Sequence, residues 1–346
     1  MFFIICNLNA CTQKQIENSQ NHQYTRQTLG TYVKLSLNAN ANDASNFIQA
    51  FDELSEQQTL DLYAWGTGEL AKLNESLENK KCISPSGDMF ELIQQSNDLS
   101  IDTNALFDPG IAPLVELWGF HRFEKMRSEP PSQQKINSTL LQYGSIQDLE
   151  ISDKEKTICT SIPVKLDLGA IAKGWAGKKS LELLSQNKIS NALIGFGGDL
   201  IALGKNQENK AWRVGLKNPD IQYVGFDAPA VFTLQSETPL AVFTSGDYER
   251  QFEHQGKKSH HILDPRTGRS NSDIRSVTVI HPDPVLADAL ATALHVAGND
   301  WQSLARKLNL KQVLVLFPNK KAQITPDLEA ITTWLDDQYE VSIVNL

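Results

Sequence analysis

From residue 191 onward the chain lays down one short apolar-rich strand after another, and most links between them are too short to hold a crossover helix. Strands are expected over 191–196, 212–216, 230–234, 240–244, 250–254, 276–280, 311–317 and 340–344. Strands joined by hairpin-length links pair antiparallel, so the expected class is α+β, antiparallel sheets with helices packed on them, rather than a doubly wound parallel sheet. Upstream, residues 28–37 alternate as a strand. Residues 43–65 carry apolar positions at helical spacing (Phe47, Ile48, Phe51, Leu54, Leu62). Ser84 as cap and Pro85 in the first turn signal a second helix through Met89, Leu92, Ile93 and Leu99. Residues 122–135, polar and containing Pro130 and Pro131, read as a surface excursion, and a further helix is expected over 171–187.

A chain of 346 residues with 32 basic side chains and a net charge of −9 has no excess of cation with which to neutralise a nucleic-acid backbone. A nucleotide cofactor stays open, because backbone amides and a metal ion can hold one. The start, MFFIICNLNAC, is an apolar run ending in a small residue before Cys11 and resembles a shortened bacterial lipobox. Residues 1–27 are therefore expected to be a truncated lipoprotein signal and tether, with a single domain over 28–346. Acylation at Cys11 would place the protein on the periplasmic side of the cytoplasmic membrane. No other stretch reaches the roughly 18 apolar residues of a membrane span. Cys6, Cys82 and Cys159 lack metal-ligand spacing and read as ordinary thiols; export would permit a Cys82–Cys159 bridge, but nothing in the sequence requires it.

Four segments put glycine, acid or small polar residues where a core element ends. The run DLGAIAKG, from Asp167 to Gly174, takes a strand end into a helix start, where free amides suit an anion and Lys173 adds charge. An ordinary β-to-α turn with a surface lysine would read the same. GFGGD, from Gly195 to Asp199, allows close backbone approach but lacks dinucleotide-fingerprint spacing. TSGDYER, from Thr244 to Arg250, precedes HHILDPRTG, whose Asp264–Gly268 turn would hold His261 at a strand end, either as a proton acceptor or as a satisfied turn histidine. Last, a helix capped by Asp283, with Pro284 in its first turn and Gly298 at its end, carries Asp288 and Thr292 four positions apart. That spacing brings their Cβ atoms to roughly 5–6 Å on one face. Alone, the pair could be a solvated acid and a threonine bonded back to its own helix.

Taken in order, these segments closely resemble the ApbE family, the FAD:protein FMN transferases, whose DLGGIAKG, NLGGD, TSGDYER…HIIDPRTG and SVTV…LADALATAL motifs are matched here. ALFDP and PLVELWGF upstream are similar to the family's AFDPTVGPLVNLWGFG, and Leu29-Gly30-Thr31 stands where it has MGT. The resemblance covers residues 28 to 318. It implies an ApbE-like, T-fold-like architecture and Mg2+-dependent transfer of FMN from FAD to a threonine hydroxyl of a target protein, with release of AMP. It implies that Asp288, Thr292 and the Ala170 carbonyl hold Mg2+. Asp167 and Lys173 would contact FAD, and Leu29, Trp65, Leu106, Phe107, Asp108 and Ile262 would line its pocket. Trp65 is aligned through LYAWGTGELAKLN, which departs from the family's pattern. His261 is expected to be the general base toward the threonine, and His295, where the family commonly has an aromatic residue, to be packing rather than a ligand. Acceptors of this family include membrane electron-transport subunits. A hydrolase splitting FAD into FMN and AMP, and a non-catalytic flavin-binding lipoprotein, are the alternatives.

Overall fold

The computed structural model describes residues 20–122, 127–220 and 228–346. Their centre is a nine-stranded sheet in the spatial order Gln20–Thr28, Thr31–Ala39, Ala192–Phe196, Asp199–Gly204, Ser236–Gly246, Ser276–His281, Gln312–Phe317, Lys321–Ile324 and Glu340–Ile343. Every neighbouring pair is antiparallel except the last. The α+β expectation therefore holds, with antiparallel sheets and helices on them.

Alternation along the strands sorts the core into layers, since successive side chains point to opposite faces. Val313 and Val315 join the cluster of Val277, Val279, Leu290 and Leu294 under the Pro284–Ala297 helix. Leu314 and Leu316 join Trp212, Phe232 and Leu234 of a second sheet, whose order is Thr332–Trp334, Ala230–Leu234, Trp212–Gly215. One face of the large sheet thus carries helices and the other a small antiparallel sheet.

Two glycines set how closely the helices Ala172–Gln186 and Pro284–Ala297 approach. A Cβ on Gly174 would stand 2.4 Å from the Pro284 carbonyl oxygen and 2.9 Å from Val285 Cα, and one on Gly177 would stand 3.2 Å from Pro284 Cβ. At Gly174, where the neighbours are backbone, only a residue without Cβ fits.

Several expectations are corrected. Residues 20–27, assigned to the tether, are strand: Gln20–Thr28 pairs in full register with Thr31–Ala39. The strand expected from residue 28 is therefore two strands around a turn in which Leu29 and Gly30 both have positive φ (52° and 70°), the conformation of a two-residue hairpin that suits right-handed strand twist. Residues 1–19, and with them Cys11 and the leader, lie outside the described residues. The first helix runs Ala41–Asp61, and a separate helix, Glu69–Glu78, follows it. The next is capped by Ser86 rather than Ser84; its hydroxyl accepts from Met89 N at 3.3 Å and donates to Glu69 Oε2 at 2.7 Å, so Pro85 precedes the cap. The excursion expected over 122–135 ends in a helix, Gln133–Gln142, with residues 123–126 outside the described set.

Two of the cysteines are not the ordinary thiols expected. Cys82 and Cys159 are joined by a disulfide across 77 positions. Ile83 and Ile158 exchange backbone hydrogen bonds beside it, at 2.9 and 2.8 Å, which brings the two cysteines into reach. The sequence permits that pairing without requiring it, because the two segments meet only in the tertiary fold.

Candidate active site

The helix Pro284–Ala297 forms as read. Asp283 caps it by accepting from Val285 N at 2.8 Å, and Gly298 ends it. Its face bearing Asp288 and Thr292 turns toward the start of the helix Ala172–Gln186 and the end of the strand Ser236–Gly246. Neither bland reading of that pair survives. Asp288 is 6% exposed and its Oδ2 accepts the Gly174 amide at 2.8 Å, while Thr292 Oγ1 lies 2.9 Å from Ser245 Oγ.

Burial pushes the Asp288 carboxyl up to about 7, and Asp199 adds to the effect against the pull of Lys173 and the Gly174 amide. Loss of water around the carboxyl, which disfavours its charged form, is the main cause. Burial also works against the Lys173 ammonium, yet Asp199 and then Asp288 beside it hold its pKa above the ordinary lysine value. Lys173 pairs directly with Asp199, whose Oδ1 accepts the Thr244 amide at 2.8 Å. Asp199, the last residue of the GFGGD run, is 3% exposed and ties the Lys173 turn to the central strand. The GFGGD run by itself assigns that aspartate no role.

His261 follows the strand Lys257–His260, its amide donating to the Arg250 carbonyl at 3.0 Å. The turn after it is built as expected: Gly268 N donates to the Asp264 carbonyl at 2.8 Å, and Trp118 Nε1 donates to the Gly268 carbonyl at 2.8 Å. Burial pushes the His261 imidazole down to about 3, helped by the nearby charges of Arg250, His260 and Lys173. The ring is neutral at physiological pH, with Nδ1 buried and lacking a partner, and so has a lone pair to offer.

Asp167 Oδ1 accepts the Gly169 amide at 2.9 Å; burial raises its pKa while Gly169 and then Arg250 lower it. Leu106, Phe107 and Ile262 are buried in one cluster, with Trp65 and Ala170 packed against it. Trp65 stacks on His121 with ring centroids 5.2 Å apart, and Trp65 Nε1 and His121 Nδ1 are both buried without partners. Asp108 caps the short turn Pro109–Ile111, its Oδ1 accepting from Gly110 N at 2.8 Å and Ile146 N at 3.0 Å. Leu29 stands apart, packed against another cluster, its amide donating to Thr59 Oγ1 at 3.1 Å. His295 is buried as packing against His260, with centroids 5.4 Å apart. A cleft of about 800 Å³ between Leu54, Asp61, Ser86 and Trp175 contains none of the predicted site residues.

A sequence profile of the ApbE family matches residues 29–316. The chain belongs to the ApbE family. It is 33% identical over 278 residues to the FAD:protein FMN transferase of Rhodobacter capsulatus, a match that covers 79% of this chain and 51% of that protein. This chain therefore spans about half of that relative. Against the FAD:protein FMN transferase of Haemophilus influenzae it is 31% identical over 252 residues, covering 72% of this chain and 71% of the relative. Among solved structures, the ApbE protein of Thermotoga maritima superimposes with a TM-score of 0.81 at 29% identity, covering 90% of this chain and 99% of that one. The flavin transferase ApbE of Vibrio cholerae gives 0.77 at 25% identity, covering 90% and 99%. ApbE proteins are thus a family of flavin transferases, and the fold and motif order of this chain are theirs.

Proposed function

We propose that this ApbE protein transfers the FMN half of FAD to a threonine hydroxyl of a target protein with the help of Mg2+, releasing AMP. The observation that carries the reading is the junction of Asp288, Gly174 and Lys173. A buried acid grips the first turn of the helix Ala172–Gln186, which follows the DLGAIAKG turn and carries Lys173. Asp288 and Thr292 offer hard oxygens, and the turn holding Ala170 lies within one helical turn of the Gly174 amide that Asp288 grips. Those donors fit Mg2+, which prefers oxygen ligands and keeps positions for water and phosphate. Among the described residues no set of three or more His, Cys, Asp and Glu side chains is grouped to hold a metal. The proposed set of one carboxylate, one hydroxyl and one carbonyl is of a different kind. When bound, Mg2+ neutralises the diphosphate and eases departure of AMP.

The side chains of this chain do the rest. Lys173 serves the diphosphate, while the amides of Asp167, Gly169 and Ile171 are held within the protein and keep the turn in shape; Leu106, Phe107, Trp65 and Ile262 supply the apolar wall for the flavin. His261 accepts the proton of the incoming threonine hydroxyl, whose oxygen is a poor nucleophile until that proton has a destination. A Thr Oγ–P bond forms at the flavin-side phosphorus, the P–O bond to AMP breaks, and His261, whose charged form burial disfavours, passes the proton on to solvent. Hydrolysis of FAD to FMN and AMP needs the same groups with water as the acceptor.

The acceptor is read as a membrane electron-transport subunit, reached from the periplasmic side through a lipid at Cys11. The test is incubation of the purified protein with FAD, Mg2+ and such a subunit. An acceptor heavier by one FMN, with an equal amount of AMP, supports transfer. AMP without a heavier acceptor supports the hydrolase, and an absence of AMP rejects both.

A further inference from the structure

Resting on that metal-assisted transfer, we infer that Ser245 is the positioning residue for Thr292, the hydroxyl that aims a threonine lone pair at the cation. The two oxygens lie 2.9 Å apart, on elements separated by 47 positions. A threonine inside a helix has a standing alternative: its hydroxyl can bond the carbonyl four residues back, which here belongs to Asp288. In that rotamer the oxygen serves its own helix. Ser245 offers a competing partner on the side of the central sheet.

That partner is held rigidly. Ser245 lies in the strand Ser236–Gly246, in register with Val277 of the next strand. Its neighbour Thr244 is bonded through its amide to Asp199 at 2.8 Å, and its hydroxyl lies 2.8 Å from that of Thr278. The same strand end thus places both Asp199, which holds Lys173, and Ser245, which holds Thr292. The proton count gives the pair a direction. Either oxygen can donate in the metal-free protein; with a cation on a Thr292 lone pair, the proposed arrangement has Thr292 donating and Ser245 accepting. Outer partners of this kind orient a ligand, and their removal weakens metal binding without removing a ligand.

Mn2+ serves as the probe, added to the whole protein with FAD present and followed by the EPR signal of the free ion. Ser245→Ala is expected to raise the Mn2+ dissociation constant about 10–100-fold. Flavin affinity measured without metal and the unfolding midpoint stay as in the parent, and the transfer rate recovers at high Mg2+. Ser245→Thr, which keeps the hydroxyl on a strand-compatible side chain, is expected to stay close to the parent. Asp288→Asn reports on the metal reading itself. Unchanged Mn2+ affinity in Ser245→Ala, with Asp288→Asn weakened, overturns the role of Ser245 and leaves the metal site standing. Equal affinity in the parent and both variants overturns both.

Discussion

Asp288 Oδ2 accepts the backbone amide of Gly174 at 2.8 Å, across 114 positions of sequence. The bond exists because Gly174 has no side chain. Its missing Cβ is where the Pro284 carbonyl and the Asp288 Cβ press closest, so the helix Ala172–Gln186 rests directly on the helix that carries Asp288 and Thr292.

Gly174→Ala therefore has two consequences. Overpacking against backbone at 2.4 Å cannot be relieved by a rotamer change, and the expected loss of stability lies at the upper end of about 1–3 kcal/mol. The same shift separates the amide from Asp288 and lowers transfer activity. Gly198, where an added Cβ meets nothing within 4 Å, provides the control: Gly198→Ala stays near the parent in urea denaturation.

His261→Asn keeps a polar side chain of smaller size but removes the basic nitrogen. Transfer to the acceptor is expected to fall by about 10²–10⁴-fold, the range general base catalysis contributes, while FAD binding followed by flavin fluorescence stays as in the parent. Transfer at the parent rate would refute the assignment.

Breaking the Cys82–Cys159 bridge frees a long loop in the unfolded chain. Reduction, or the double change Cys82→Ser and Cys159→Ser, is expected to remove about 2–5 kcal/mol, read as a lower urea midpoint with and without reductant. An unchanged midpoint would mean that the bridge constrains nothing.

His295 gives a pH dependence whose sign is definite. Burial, then His260 and His261, hold its folded pKa well below 6.5, while in the unfolded chain it takes up a proton near 6.5. Below that pH the unfolded chain binds more protons, so His295 reduces stability as pH falls. Both its ring nitrogens are also buried without partners. His295→Phe should therefore gain on the parent as pH drops below 6.5, by up to about 1.4 kcal/mol per pH unit. Asp288, raised to about 7, titrates in the opposite sense in both proteins, and the difference between them cancels it. The check is urea denaturation of both from pH 7.5 to 5; an advantage that does not grow refutes it.

The readable parts of this chain were those governed by short-range periodicity. The 3.6-residue turn put Asp288 and Thr292 on one face without any knowledge of the fold, the short links dictated antiparallel pairing, and Asp264–Gly268 formed the turn its composition demands. Boundaries slipped where a partner outside the segment decided them. Glu69 drew the helix cap to Ser86, and pairing with Thr31–Ala39 turned the expected tether into strand. What Asp288 and Thr292 touch is decided only by tertiary contact. The Gly174 amide, the Asp199 clasp on Lys173, the Ser245 hydroxyl and the Cys82–Cys159 bridge all join segments tens of residues apart, and periodicity carries no information about which distant segments meet.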